Sequence, residues 1–123
     1  MKVCISSSGN SVESSLDSRF GRAAYFIIVD IETNEIEIVE NSASSGGGGV
    51  GITSGQLIID KDVGAVITGN VGPNAMNVLK TAEIDIFQGK TTSVANNIEE
   101  FKKGTLKKID TTVPSHFGMQ GGQ

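Results

Sequence analysis

Apolar residues alternate with polar ones, or run together in short β-branched stretches, through the first forty positions; beyond residue 50 they recur at spacings of three and four. The chain therefore reads as strands first and alternating helices and strands afterwards. Val3 and Ile5 alternate within Lys2 to Ser7, a strand expected to stop at the turn-forming run Ser6-Ser7-Ser8-Gly9-Asn10. Ala24 to Asp30 is nearly continuous in aromatic and β-branched residues, which predicts a central strand covered on both faces. After the turn at Glu32-Thr33-Asn34, Glu35 to Glu40 alternates, with Ile36 and Ile38 expected inward and the glutamates outward. That pattern suits a solvent-facing strand paired antiparallel to its predecessor.

In the second half, Ile52, Gly55, Ile59 and Val63 fall on one face of a predicted helix of about a dozen residues, with Gly64 as its stop. Ala65 to Thr68 follows as a short buried strand. Gly69-Asn70-Val71-Gly72 breaks it, and Pro73 is placed to open a helix whose apolar positions are Ala75, Val78, Leu79 and Ala82. Ile84 to Phe87 is the next strand, and a last helix, opened by Thr92 or Ser93 and closed at Gly104, carries Val94, Ile98 and Phe101 on one face. The order β-β-β-α-β-α-β-α predicts an α/β fold: a mixed sheet of about five strands with right-handed crossovers and helices on both faces. Residues 1–108 are expected to form one domain, and residues 109–123, rich in Gly and Gln near the end, a flexible tail with little to bury.

A length of 123 residues and 37% hydrophobic content supply one core. Ten Lys+Arg against fourteen Asp+Glu give a formal charge of -4, which removes the basic field that nucleic-acid or anionic-membrane binding uses. The basic run Lys102, Lys103, Lys107 and Lys108 reads as the solvated, dipole-complementing end of the last helix. The lone Cys4 excludes an intramolecular disulfide. No apolar run approaches the roughly 18 residues of a membrane span, and Met1-Lys2 leads directly into a strand rather than a signal peptide. A cytoplasmic protein is expected.

In open α/β sheets ligands bind beyond the carboxyl ends of the strands, so the candidate rim is Ser6 to Asn10, Gly46 to Gly51, Gly69 to Asn74 and Gln88 to Thr92. Glycine lets a backbone approach a ligand closely, and helix N-termini favour anions. Neither glycine loop ends in the Lys-[Ser/Thr] of a phosphate-binding loop, and Gly69-x-x-Gly72-Pro73 is not a dinucleotide fingerprint. Catalysis finds little support: the sole histidine, His116, has no visible partner, Cys4 lies inside a strand, and no carboxylate pair projects from a strand end. Arg19-Phe20-Gly21-Arg22 reads equally as an anion clamp of two guanidinium forks or as a core aromatic, a turn and two surface ion pairs.

Arg19-Phe20-Gly21-Arg22-Ala23 before a hydrophobic strand, the Gly46 to Gly51 loop before a helix, and Thr68-Gly69-Asn70-Val71-Gly72-Pro73-Asn74-Ala75 occur here in an order that resembles the dinitrogenase iron–molybdenum cofactor biosynthesis family, of the NifX and NifB C-terminal type, known from nitrogen fixation. The resemblance spans roughly residues 1 to 108 and rests mainly on the Thr-Gly-Asn-x-Gly-Pro-Asn-Ala run. It implies a ribonuclease-H-like fold and a non-catalytic protein that binds or carries iron–molybdenum cofactor or its iron–sulfur precursors. Members commonly have His before the Phe-Gly-Arg, where this chain has Arg19, and often His or Cys at the opening of the glycine loop, where it has Ser45 and Gly46. The expected site is then Arg19 and Arg22 as electrostatic clamps flanking Phe20, Gly47, Gly48 and Gly49 as a backbone cradle, and Asn70, Gly72 and Asn74 as its rigid side. Cys4 and His116 remain as the soft metal-ligand candidates. The expected partner is a metal cluster or small anion; the alternative is a cluster-free regulatory or protein-interaction module that meets a protein partner.

Overall fold

A computed structural model describes residues 1–41 and 50–109. Its strands are β1 (Lys2–Ser7), β2 (Tyr25–Asp30), β3 (Ile36–Glu40), β4 (Ala65–Thr68) and β5 (Asp85–Gln88), and its helices are α1 (Val50–Asp60), α2 (Pro73–Thr81) and α3 (Val94–Lys103). They form one mixed sheet in the order β3-β2-β1-β4-β5. β1 runs parallel to β4, and β4 to β5, while β2 is antiparallel to both β1 and β3. The predicted element order stands. β1 rather than β2 occupies the middle of the sheet, because β1 is the strand that both the hairpin half and the crossover half add to.

The period of two sorts β1 into two cores. Cys4 faces one core with Ile28, Val66 and Ile86, covered by Ile58 of α1 and Ala75, Met76 and Leu79 of α2. Val3 and Ile5 face the other, with Ile27, Val29 and Ile67, under Val94 and Ile98 of α3. The molecule thus has three layers. A Phe87–Phe101 edge-on ring contact, 5.1 Å between centroids, ties α3 to β5.

Four sequence expectations are corrected. Ile36 and Ile38 are not inward: they are 49% and 46% exposed, because β3 is an edge strand and their face extends past the cover of α3. The buried face of α1 is Val50, Ser54, Gly55 and Ile58; of the expected row, Gly55 and Val63 are buried and Ile59 is half-buried, but Ile52 is exposed. That helix ends at Asp60, and Asp62, at φ 60°, makes the left-handed turn expected of Gly64. Ile109, expected as the first residue of a tail, belongs to the fold. Its N–H donates to the Ile86 carbonyl at 2.7 Å, and Gln88 donates to the Lys107 carbonyl at 2.7 Å, so residues 107–109 cover the outer edge of β5. Residues 110–123 lie outside the described residues. The caps of α3 match expectation, with Ser93 Oγ accepting from Asn96 N–H and Gly104 at φ 75°. No helix among the described residues is long and apolar enough to cross a membrane.

Candidate functional site

The topology gathers the described parts of the expected rim at one end of the sheet. β1, β4 and β5 are mutually parallel, so Ser7, Thr68 and Gln88 end together. The antiparallel β2 begins at that end, which brings Arg19 to Ala24 there, and β3 finishes there at Glu40.

Backbone pairing locks the arginine turn to the β4–α2 turn. Arg19 and Asn70 form an isolated parallel bridge, in which Phe20 N–H donates to the Asn70 carbonyl at 3.1 Å and Asn70 N–H to the Ser18 carbonyl at 2.6 Å. Below this seam the Ser6 hydroxyl lies 2.6 Å from the Asp17 carbonyl and 2.7 Å from Thr68 Oγ1, joining the ends of β1 and β4. A second seam joins three elements by close approach. A Cβ at Gly21 would lie 3.3 Å from the Gly51 Cα, and one at Gly51 would lie 3.2 Å from the Ala75 Cβ. The arginine turn and the starts of α1 and α2 therefore stack on one another with almost nothing between.

Two buried polar residues that sequence reasoning passed over hold this arrangement. Asn41 Nδ2 donates to the Gly21 carbonyl at 3.1 Å and the Ala23 carbonyl at 2.9 Å, and Ser54 Oγ donates to the Gly21 carbonyl at 2.9 Å. Asn97, also buried, takes Lys90 N–H on Oδ1 at 2.7 Å and donates from Nδ2 to the Lys90 and Ser93 carbonyls at 3.0 Å, shaping the loop after β5. An asparagine beside a low-complexity run and another inside an amphipathic helix look like surface residues in a sequence; only their burial gives them away.

The expected site residues divide. Arg19, Arg22, Asn70, Gly72 and Asn74 are exposed on the rim. Arg19 is turned toward Asp17, with Nε 3.3 Å from Oδ1 and Nη2 3.3 Å from Oδ2, and this hydrogen-bonded carboxylate first, its charge second, raises the guanidinium pKa. Its charge is thus largely offset by Asp17. Gly72 caps α2 without any side-chain hydrogen bond, Pro73 brings no N–H, and a Cβ at Gly72 would meet nothing within 4 Å, so the start of α2 is open to approach. The start of α3 is closed instead, because Val94 and Ala95 N–H donate to the Ser14 and Val12 carbonyls.

Two expected contacts are corrected. The Phe20 ring is 1% exposed and packs 5.2 Å from Phe26, centroid to centroid, so it anchors the turn from below and presents no face to a ligand. Cys4 is fully buried in mid-strand, where desolvation raises its thiol well above the ordinary range. Gly47, Gly48, Gly49 and His116 lie outside the described residues. Among the described residues no three His, Cys, Asp or Glu side chains come close enough to hold a metal ion. What the rim offers is guanidinium, amide side chains and helix N–H groups, a donor set for an anion.

This geometry sits on a chain that matches the family described as dinitrogenase iron-molybdenum cofactor over residues 1–104. The chain belongs to that family. An uncharacterized protein of Methanocaldococcus jannaschii is 44% identical over 98 residues, spanning 77% of this chain and 83% of its own length. The apo form of the orange protein from Desulfovibrio gigas superposes with a TM-score of 0.84 at 30% identity, over 88% of this chain and 92% of that one. A Thermotoga protein provisionally named NifB has a TM-score of 0.81 at 35% identity, over 89% and 94% of the two chains. The mixed five-stranded sheet with its helices is therefore the fold of this iron-molybdenum cofactor family.

Proposed function

We propose that this chain is a binding or carrier protein whose cargo is an anionic iron–sulfur or iron–molybdenum cluster or a precursor of one, seated on the rim between the arginine turn and the start of α2. The observation that carries the reading is the meeting of these two features. The Arg19–Asn70 bridge holds the Arg19 to Arg22 turn beside an N-terminus that no side chain caps and no Cβ obstructs. Family membership supports a cargo of this chemical class.

The donor set favours holding the cargo by its anionic periphery rather than through protein–metal bonds. Arg19, Arg22 and the first-turn N–H groups of α2 would supply the attraction. The Arg19 side chain is 63% exposed while that of its partner Asp17 is only 10% exposed, so a multiply charged anion would recruit the guanidinium from the solvent side of that pair. The shape of the rim, built from main-chain seams, would be in place before the cargo arrives. Nothing in this donor set abstracts or relays a proton, which favours carriage over catalysis.

The test is anaerobic loading with reconstituted iron–sulfur cluster and, separately, with cofactor-containing extract, reading visible absorbance and metal per chain after desalting. Stoichiometric metal in the native chain, lost in a folded variant with Arg19→Ala and Arg22→Ala, is the expected result. Equal metal in that double variant rejects the clamp. No retained metal under conditions that load a His-containing relative moves the assignment to a cluster-free protein-interaction module of the same fold.

A further inference from the structure

The two edges of the sheet are treated differently. Residues 107–109 pair with β5, whereas β3 pairs only with β2 among the described residues. The register shows which β3 groups face outward. Asp30 N–H donates to the Glu35 carbonyl and Asn41 N–H to the Ala24 carbonyl, so the odd-numbered residues of this antiparallel pair turn their backbone toward β2. Ile36, Ile38 and Glu40 turn theirs to the open edge. The side chains of Ile36 and Ile38 are also the half-exposed ones, on the α3 face of the sheet. Backbone groups and apolar side chains are therefore offered together along one strand.

Acidic groups outnumber basic ones at this edge. Glu35, Glu37 and Glu40 lie on or just before β3, Lys61 sits 2.6 Å from Glu37, and Lys2 lines the cleft beside them. Beside β3 this cleft of about 380 Å³ is lined by Ile28 and Ile36 and by three carboxylate residues, Asp30, Glu35 and Glu37, against one ammonium, that of Lys2. An apolar wall with carboxylates around it suits the long stem and charged head of a lysine or arginine. A strand added at the usual spacing of about 4.8 Å would bring such a side chain over Glu37 to the mouth of the cleft.

We propose that the β3 edge is a docking site for an extended segment of a partner protein in which apolar and basic residues alternate. The apolar side chains pack beside Ile36 and Ile38, the basic ones face Glu35, Glu37 and the cleft, and main-chain bonds form to Ile36, Ile38 and Glu40. A second copy of this chain is disfavoured, since pairing β3 with itself sets glutamates against glutamates. The chain's own residues 110–123 contain no lysine or arginine. The same carboxylates that discourage self-pairing select the cationic partner.

The probe is a capped seven-residue peptide alternating lysine and valine, titrated into the full chain and followed by amide chemical shifts and hydrogen exchange. Two controls replace its lysines by threonine or by glutamate. The expected result is protection of the Ile36, Ile38 and Glu40 amides by the lysine peptide alone. Its affinity should fall about tenfold in a chain with Ile36→Thr and Ile38→Thr, which keeps β-branched residues in the strand. Raising salt from about 50 to about 500 mM should weaken it further. Absence of binding at millimolar peptide, protection mapped elsewhere, or equal binding of the glutamate peptide overturns the proposal. So does a concentration-dependent dimer of the chain alone that the threonine variant abolishes, which would assign the edge to self-association.

Discussion

Gly69 lies flush against Ser18: a Cβ on Gly69 would stand 2.7 Å from both the Cα and the carbonyl oxygen of Ser18. This contact is backbone against backbone, so no side-chain rotation relieves it, and the Asn70–Ser18 hydrogen bond lies directly beside it. Gly69→Ala should therefore push the arginine turn off the end of β4 and destabilise the chain by about 1–3 kcal/mol. Gly72→Ala, three residues on, has open space around the new methyl and should stay within about 0.5 kcal/mol of the native chain. Urea unfolding of the two variants checks the contrast; equal midpoints would mean that the Gly69 seam is not under steric constraint.

The Asn41–Ser54 pair makes a second prediction. Both residues supply hydrogen bonds to the Gly21 carbonyl, and Asn41 alone serves Ala23 from its amide. Asn41→Ala should cost about 1–3 kcal/mol, because it leaves buried carbonyls short of a donor, and Ser54→Ala should cost less. The double variant should exceed the sum by at least about 0.5 kcal/mol, since either donor still serves the Gly21 carbonyl when the other is gone. Strict additivity in a double-mutant cycle would show that they stabilise the turn independently.

Strand and helix order was legible because periodicity reports burial on at least one face, and the capping residues of α3 announce themselves by type. β3 misled for the converse reason. Its alternation of Ile and Glu is that of a half-buried strand, but how far α3 reaches across the sheet is a tertiary fact that Ile36 and Ile38 do not encode. The α1 face was read only in part: Gly55 was placed on it but Ser54, a hydrogen-bonding hydroxyl, was not, because a periodicity search looks for bulk. The rim loops were located by residue type alone, and the arginine turn with them. What could not be read was partnership: that Arg19 turns to Asp17, that Phe20 points down, and that Asn41 holds the turn from beneath.

Acid stability should depend on Asp30, which begins the turn between β2 and β3. Its Oδ1 accepts the Glu32 N–H at 2.9 Å and the Thr33 N–H at 3.3 Å, and the first of these chiefly lowers its pKa. A carboxyl whose folded pKa is depressed stabilises the fold above its unfolded pKa of about 3.9, and that contribution is lost as pH falls through the folded value. Asp30→Asn retains a side-chain acceptor for the turn but removes the titration. Its stability should decline less steeply than the native chain's between about pH 5 and pH 2. Glu100, lowered by the Thr105 hydroxyl and then Lys90, contributes in the same direction, so the slope should diminish without vanishing. An unchanged acid limb in Asp30→Asn would show that Asp30 titrates as it does in the unfolded chain.

Cys4 tests whether the core and the cargo site are separate. Its side chain is enclosed between Ile28 and Val66, its neighbours in register on β2 and β4, and burial holds the thiol in its protonated form well beyond neutral pH. Since the thiolate is the reactive and ligating species, a native Cys4 should resist alkylation, and its labelling rate should follow global unfolding as denaturant is raised. Cys4→Ala should cost about 1–2 kcal/mol for a small cavity, and Cys4→Ser more, because the hydroxyl enters an apolar core. Neither change reaches the rim, so metal retained per folded chain should be unaltered in Cys4→Ala. Rapid labelling of the native protein, or loss of retained metal from a folded alanine variant, would return Cys4 to the site. The carrier reading would then require a coordinate bond to sulfur in place of a purely peripheral hold.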